Sequence, residues 1–200
     1  VAVTVSPKEL EEIASHPDVL EISENTVVSI PPVEAMGEDD GPFLNLWNFA
    51  AIGLDQISGL GLDGAGVRIG FIDTGIDPSH PDLAGKLIGW AEFDEIGEVI
   101  GSEPHETHPR GHGTHVASVL AGETTGIAPA AGLLAVMALP EGHGTTEQVL
   151  AGMQWIIDPD DDAGTDDGTR IVNMSWGSNG LSAVLNEAVE NMAATGVLAV

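Results

Sequence analysis

The feature that most constrains the fold of this chain is its alternation of short apolar runs with amphipathic segments from residue 43 onward. The apolar runs are typical of buried strands, because they are four to eight residues long and bounded by turn residues. They are VRIGFID (67–73), LLAVMAL (133–139), RIVNMSW (170–176), the weaker candidate KLIGWAEF (86–93), and GVLAV (196–200).

The segments between these strands predict helices over 114–121, from Thr145 to about Ile157, and over 181–195. Thr145 and Gln148 have the spacing of a capping box, in which two side chains satisfy free backbone N–H groups at a helix start. Strands that alternate with helices predict an α/β fold, with a parallel sheet and helices on both of its faces.

The first 35 residues have a different pattern, which predicts a short strand, a helix and a second strand. Ser6 is placed as the N-cap of this helix, Pro7 as its first residue, and Glu9 three residues after the cap. Two prolines close the segment at positions 31 and 32. The expected division is therefore an N-terminal unit (1–35), an acidic linker (36–44) and a larger α/β unit (45–200).

The charge of the chain excludes some classes of partner. There are 32 acidic residues against 5 basic ones, for a formal net charge of −27. Nucleic acid and an anionic membrane surface are not expected as partners, because binding to phosphate requires lysine and arginine. The chain has no cysteine, and no apolar run approaches the roughly 18 residues of a membrane span.

Two residues are candidates for acid–base chemistry. Asp73 follows an apolar strand, and functional groups gather at the carboxyl ends of parallel strands. His112 stands at the first turn of a predicted helix, where free N–H groups favour a neutral imidazole. A neutral histidine held by a carboxylate suits a general base. Taken singly, Asp73 is better explained as a turn or helix cap, and His112 is equally explained as a capping or core residue.

Four blocks in this order resemble the subtilisin-like serine proteases, the subtilases of peptidase family S8. They are IGFIDTGIDPSHPDL (69–83), GHGTHVA (111–117), GIAPAAGLLAVMAL (126–139) and IVNMSWG (171–177). The resemblance runs from about residue 45 to the end, and residues 1–35 resemble the second half of the family's inhibitory propeptide. It implies a three-layer parallel sheet of the subtilisin type, incomplete here, preceded by a partial α+β propeptide.

The resemblance also assigns roles. Asp73 would orient the imidazole of His112, the general base of a Ser/His/Asp triad, and His115 would be a packing residue. The family hydrolyses peptide bonds of peptide or protein substrates by acyl transfer, and is secreted as a zymogen. Its propeptide is a partner whose tail, here within residues 30–42, would enter the cleft. The expected cleft residues are Gly142, His143 and Gly144 on one side and Ser175, Trp176 and Gly177 on the other.

Some family features are missing from these 200 residues. The nucleophile block Gly-Thr-Ser-x-Ala is absent, and the oxyanion-hole asparagine would follow the last strand. We therefore expect the chain to be a portion of a longer protein. This portion alone should be inactive, and it should self-associate through exposed strand edges.

No cofactor is expected to be required, although calcium is a candidate structural ion. Asp82 matches a calcium ligand of many subtilases, but the loop AGETTGIAP, which should supply the other ligands, is short. The loop DPDDDAGTDDG (158–168) is a second calcium candidate, yet it fits the EF-hand pattern poorly.

Two alternatives to an enzyme remain open at this stage. One is a non-catalytic fragment that binds a peptide or its own propeptide. The other is a metal-binding protein that uses His and Asp side chains, to which HETH (105–108) adds further histidines. This stretch does not have the H-E-x-x-H spacing of a zinc helix.

Overall fold

The structure is a computed structural model that describes residues 2–32, 47–101, 103–178, 180 and 182–200. The predicted linker, 36–44, lies outside these residues. No helix in the described part of the chain is both long enough and apolar enough to cross a membrane.

The described residues form strands and helices in alternation. The strands are β1 (Val27–Ser29), β2 (Arg68–Asp73), β3 (Leu87–Phe93), β4 (Val99–Gly101), β5 (Gly132–Met137), β6 (His143–Thr145), β7 (Ile171–Asn173), β8 (Gly177–Ser178) and β9 (Leu198–Ala199). The α-helices are α1 (Pro7–Ala14), α2 (Trp47–Ala51), α3 (Leu54–Ile57), α4 (His112–Ala121), α5 (Thr146–Ile157) and α6 (Ala183–Ala194). Short 3₁₀ turns cover Ser58–Leu60, Pro81–Leu83 and Pro140–Gly142.

The main sheet has the strand order β4-β3-β5-β2-β7-β9. All neighbouring strands are parallel except β3 and β4, which form an antiparallel hairpin. Helix α4 packs on one face of the sheet, and α5 and α6 pack on the other. The predicted α/β fold with a parallel sheet between two helical layers is therefore confirmed.

Strand β2 lies at the centre of this sheet, between β5 and β7. Its side chains alternate between the two faces, because successive residues of a strand point in opposite directions. Ile69 and Phe71 belong to the core beneath α4, whereas Ile72 belongs to the core beneath α5 and α6. A strand buried on both faces explains the continuous apolar run that precedes Asp73.

The N-terminal unit agrees with its prediction only in part. Helix α1 begins after Ser6, and both hydrogen bonds of the Ser6–Glu9 capping box are present. The strand predicted before this helix is wrong, because residues 2–6 have no regular structure. A strand requires a hydrogen-bonded neighbour, and the described residues provide none for this segment. The second strand forms as β1, and it pairs with β6 and β8 in a separate three-stranded sheet.

Strand β4 was not predicted from the sequence. It forms because Asp94 nucleates a tight turn after β3, where its Oδ1 accepts hydrogen bonds from the N–H groups of Ile96 and Glu98. The chain then returns antiparallel to β3. A three-residue edge strand has too little apolar pattern to be recognised from sequence alone.

Gly70 tests how closely α5 packs on the sheet. A Cβ at this position would lie 2.5 Å from Cδ1 of Ile156, so Gly70→Ala should lower the free energy of unfolding by about 1–3 kcal/mol through overpacking. Gly59→Ala is the control, because a Cβ there would meet nothing within 4 Å, and it should change stability by no more than about 0.5 kcal/mol. Urea unfolding followed by circular dichroism measures both. Equal losses in the two variants would contradict the packing argument.

Candidate active site

Asp73 is the last residue of the central strand β2, and its side chain is fully buried. A buried carboxylate is costly unless it is hydrogen-bonded. Here its Oδ1 accepts a hydrogen bond of 2.7 Å from the backbone N–H of Thr74. Its Oδ2 is buried with no hydrogen-bond partner among the described residues. The charge of Asp73 must therefore be compensated by the groups that contact Oδ1.

His112 supplies that contact. It is the first residue of α4, after Gly111, which has left-handed backbone angles (φ 61°, ψ 49°) that favour glycine. His112 is 9% exposed, and its Nδ1 lies 2.7 Å from Oδ1 of Asp73. The predicted hydrogen-bond contact between these two side chains is confirmed. With Nδ1 donating to the carboxylate, Nε2 is the nitrogen left to accept a proton.

The hydrogen bond that His112 donates to Asp73 is the main cause of a raised pKa at His112. Burial acts in the opposite direction, while the negative charges of Asp73 and Glu106 raise the pKa further. Because the folded-state pKa exceeds its usual 6.5, this interaction stabilises the fold fully below about pH 6.5. The contribution fades as the pH rises through the raised pKa.

His115 was predicted to be a packing residue, and this interpretation is wrong. Its side chain is exposed. The buried side of α4 carries Gly113, Ala117 and Ala121. At 3.6 residues per turn, His115 lies on the opposite side of the helix from these three residues.

The six predicted cleft residues lie on two separate segments with a strand between them. Gly142, His143 and Gly144 belong to the end of a 3₁₀ turn and to β6, while Ser175, Trp176 and Gly177 lead into β8. Strand β1 pairs antiparallel with both segments, with Val28 opposite Gly144 and Ser178. The space between the two predicted sides of the cleft is therefore filled by the chain's own N-terminal segment. Ile30, the first residue of the predicted range 30–42, also contacts Gly142, and positions 33–42 of that range lie outside the described residues.

Contacts on either side of β1 fix its position. Thr26 accepts hydrogen bonds through its carbonyl from the N–H and hydroxyl of Thr146, and the side chain of Asn25 accepts one from Glu147 N–H. At the other end, Ile30 N–H donates to the carbonyl of Gly142. The ring of His108, next to Gly142, lies 6.3 Å from that of His112. The occupied groove therefore runs towards the Asp73–His112 pair.

Residues 64–200 match the model of the Subtilase family, peptidase S8. This range is more than half of the chain. The chain belongs to the subtilase family.

Individual subtilases give the same result. Subtilisin DY of Bacillus licheniformis is 36% identical over 152 residues, which cover 73% of this chain and 50% of that protein. The thermostable alkaline protease of Halalkalibacterium halodurans is 33% identical over 202 residues, covering 98% of this chain and 48% of that protein. Alkaline serine exoprotease A of Vibrio alginolyticus is 29% identical over 199 residues, covering 96% and 34% respectively. The chain spans half or less of the length of these relatives.

The residues around Asp82 do not fit the calcium ion expected from the subtilase pattern. Its Oδ1 accepts hydrogen bonds from the N–H and hydroxyl of Thr124, both at 2.7 Å, and its Oδ2 accepts one of 2.6 Å from the hydroxyl of Thr125. A cation needs oxygen lone pairs, whereas these groups present hydrogens to the carboxylate. A Cβ at Gly122 would also collide with Oδ2. Calcium at Asp82 therefore stays a prediction that the geometry does not support.

The pKa of Asp82 responds to the same contacts. Burial acts to raise it, but the hydrogen bonds from Thr124 and Thr125 outweigh burial and hold the pKa below its usual 3.8. A lowered folded-state pKa stabilises the fold at pH values above 3.8. That stabilisation is lost as the pH falls through the lowered value.

The histidines do not form a metal site in the described part of the chain. The one group there with three possible ligands within reach of a common ion is acidic: Asp158, Asp160 and Asp167. It lies in the loop already noted as a poor EF-hand match, and no histidine belongs to it. This arrangement gives no support to a metal-binding protein based on His and Asp.

Two residues next to the Asp73–His112 pair were not identified from the sequence: Thr74, whose N–H donates to Asp73, and Glu106, which accepts a hydrogen bond from the Thr74 hydroxyl. Thr74 directly follows Asp73, and Glu106 lies in the HETH stretch, which drew attention only for its histidines. A usable signal was present: α4 begins at a glycine, which has no side chain to cap the helix. An acidic residue a few positions upstream is therefore a candidate for the missing acceptor.

The hydrogen bonds to Asp82 predict stability that does not depend on calcium. Any effect of EDTA or added calcium on the Tm should therefore be the same in the wild type and in a variant that loses a hydrogen-bond donor to Asp82. Thr125→Val, which removes one donor to Asp82, should lower the free energy of unfolding by about 1 kcal/mol. Thr4→Val is the control, because Thr4 is exposed in a segment without regular structure. A calcium-dependent rise in Tm that Thr125→Val abolishes would contradict this prediction and restore the calcium site.

Proposed function

We propose that the protein is a serine endopeptidase of the subtilisin type that hydrolyses peptide or protein substrates. The observation that carries this proposal is the 2.7 Å hydrogen bond between the buried Asp73 carboxylate and His112, at the end of a groove that holds an extended strand. Membership of the subtilase family supports it. A base held by a carboxylate beside an extended peptide is the arrangement that acyl transfer to a serine requires.

In this mechanism Nε2 of His112 accepts the proton of a serine hydroxyl as the serine oxygen attacks the substrate carbonyl carbon. The C–N bond then breaks, and His112 returns that proton to the departing amine. Water hydrolyses the acyl-enzyme by the same steps, with His112 again acting first as base and then as acid. Asp73 keeps Nδ1 protonated throughout and stabilises the imidazolium when it forms.

The nucleophile itself is not among these residues, since the sequence has no Gly-Thr-Ser-x-Ala block. We therefore propose that the chain alone does not turn over peptides. A base without a nucleophile has no hydroxyl to activate.

Strand β1 supports a further part of the proposal, that the N-terminal segment is an intramolecular inhibitor of a zymogen. It forms backbone hydrogen bonds with both sides of the groove, and Val28 is fully buried against the core beneath α5 and α6. An extended substrate would bind by the same strand addition. Substrate and β1 cannot occupy the groove together, so β1 must leave before substrate enters.

Secretion and self-association are also proposals. The high net negative charge would keep the protein soluble outside the cell. The outer strands of the main sheet, β4 and β9, expose Val99, Ile100 and Leu198. Exposed apolar edge strands favour pairing between chains.

The filled groove favours one second candidate, a module that binds an extended peptide without cleaving it. Such a module would use the same residues of β6 and β8 and would need neither Asp73 nor His112. Peptide hydrolysis by a form of the protein that also contains the Gly-Thr-Ser-x-Ala block would distinguish the two candidates, because only the peptidase cleaves what it binds.

The purified 200-residue chain should not hydrolyse casein or a fluorogenic peptide. The control is His112→Ala in the same chain, which identifies any activity from a contaminating protease. Turnover that is present in the chain and absent in His112→Ala would contradict this prediction, because it would require a nucleophile within these residues.

Two neighbouring valines test the occupation of the groove. Val28 is fully buried whereas Val27 is 64% exposed in the same strand. Val28→Asp should release β1, because burying a valine contributes about 1.5–3 kcal/mol. Amide hydrogen exchange in β6 and β8 should then accelerate roughly 10- to 100-fold. Val27→Asp adds the same charge and should leave exchange near the wild-type rate. Equal acceleration in both variants would show that charge, not the buried contact, is responsible.

A further inference from the structure

The start of helix α4 depends on an acceptor from outside the helix. Gly111 provides no side-chain cap, although the first N–H groups of a helix need one. Glu106, in the preceding loop, supplies it: its Oε2 accepts hydrogen bonds of 2.8 Å from both the N–H and the hydroxyl of Thr114. Its negative charge is also favourable near the positive end of the helix.

The other oxygen of Glu106 reaches the strand that carries Asp73. Oε1 accepts hydrogen bonds from the hydroxyl of Thr74, at 2.6 Å, and from the N–H of His108, at 2.9 Å. The Thr74 hydroxyl in turn accepts a hydrogen bond of 2.9 Å from Gly113 N–H, and Thr74 N–H donates to Asp73. One carboxylate therefore connects the residue after Asp73 to the two residues after His112.

Backbone contacts confirm that these segments are pressed together. A Cβ at Gly113 would collide with the carbonyl of Gly75, so the helix start rests directly on the strand end. The loop pairs with the same strand end, where Ile76 N–H donates to His105 and Thr107 N–H donates to Thr74. Glu106 lies where strand, loop and helix meet.

We propose that Glu106 is a positioning residue of the candidate active site, whose carboxylate clamps α4 to the end of β2 and thereby holds His112 against Asp73. The clamp stands on its own geometry, and only its consequence for catalysis rests on the proposed peptidase function. Glu106 does not contact the imidazole through a hydrogen bond. It acts through Thr74 and Thr114.

The clamp has a spectroscopic consequence. The titratable groups that face His112 are Asp73 from β2, and Glu106 and His108 from the loop before α4. Without Glu106, the hydrogen bond from His112 Nδ1 to Asp73 should loosen and the local negative charge should fall. Both changes lower the pKa of His112. A looser hydrogen bond also lets the Nδ1 proton exchange faster with water.

The test is NMR of the 200-residue chain, following the pKa of His112 and the low-field Nδ1 proton. Glu106→Gln should lower the pKa and broaden or abolish the Nδ1 proton signal. Glu103→Gln is the matched control, because it removes an exposed charge in the same loop. It should leave both signals as in the wild type. Unchanged signals in folded Glu106→Gln would overturn the proposal, as would equal shifts in the two variants.

A second pair of variants decides the matter if Glu106→Gln does not fold. Thr74→Val removes the hydroxyl between Glu106 and Gly113 but keeps the Glu106 charge, so it should also expose the Nδ1 proton to exchange. Thr74→Ser keeps the hydroxyl and should restore the signal. A persistent Nδ1 signal in Thr74→Val would overturn the clamp.

Activity gives an independent readout in a form of the protein that contains the Gly-Thr-Ser-x-Ala block in addition to these 200 residues. There Glu106→Gln should lower kcat with little change in KM, because the groove is untouched. If that protein cleaves no peptide while the NMR effects are present, the proposed function fails and the clamp stands. If it cleaves peptides and the NMR signals are unchanged, the clamp fails and the function stands.

Discussion

The local structure around the candidate site depends on one interaction, the hydrogen bond from His112 to the buried carboxylate of Asp73. A fully buried carboxylate at the end of a central strand is unfavourable by several kcal/mol unless nearby groups compensate it. The compensation comes from one backbone N–H and from the imidazole. The start of α4 must therefore lie against the end of β2, which explains the small residues where they meet.

The binding of β1 in the groove depends on several weak interactions. Strand β1 is three residues long, with one fully buried side chain. Its backbone hydrogen bonds contribute only about 0.5–1.5 kcal/mol each after water is displaced. As a separate peptide such a segment would bind weakly. It fills the groove because it is part of the same chain, which raises its effective concentration to roughly the millimolar range. A segment held in this way can be displaced once its covalent connection is cut.

Local signals in the sequence were sufficient for parts of the fold. Both capping boxes, at Ser6 and at Thr145, form as predicted, because each involves residues only three apart. The central strand and the Asp73–His112 contact were also predicted, since Asp73 stands at the carboxyl end of an apolar strand and the family pattern pairs it with His112. The sequence alone could not show which segments with strand character pair with a neighbouring strand. Residues 2–6 have strand character but find no strand partner in the described part of the chain, whereas residues 27–29 pair with β6 and β8.

Residues with long-range contacts were missed for the same reason. Nothing near Glu106 in sequence indicates that its carboxylate reaches Thr74, 32 positions away. His115 shares a motif with His112, yet the direction of the helix places it in solvent. A motif identifies residue types at fixed spacing, whereas burial depends on how the whole element packs. Family patterns therefore indicate the central pair more reliably than the residues that support it.

The acidity of the chain has a structural use beyond solubility. Glu106, Asp82 and Asp94 each accept two or more hydrogen bonds from backbone N–H or hydroxyl groups in loops. Carboxylates in these positions hold the loop by accepting hydrogen bonds from backbone N–H groups. A bound cation would hold a loop by coordinating backbone carbonyl oxygens. The two solutions respond to different conditions: loops held by a cation fail when the metal is removed, whereas loops held by carboxylates fail on protonation. For Asp82, whose pKa is lowered by its threonine partners, that failure requires a pH below the usual range of an aspartate. We therefore expect mild acid to leave the hydrogen bonds of Asp82 in place.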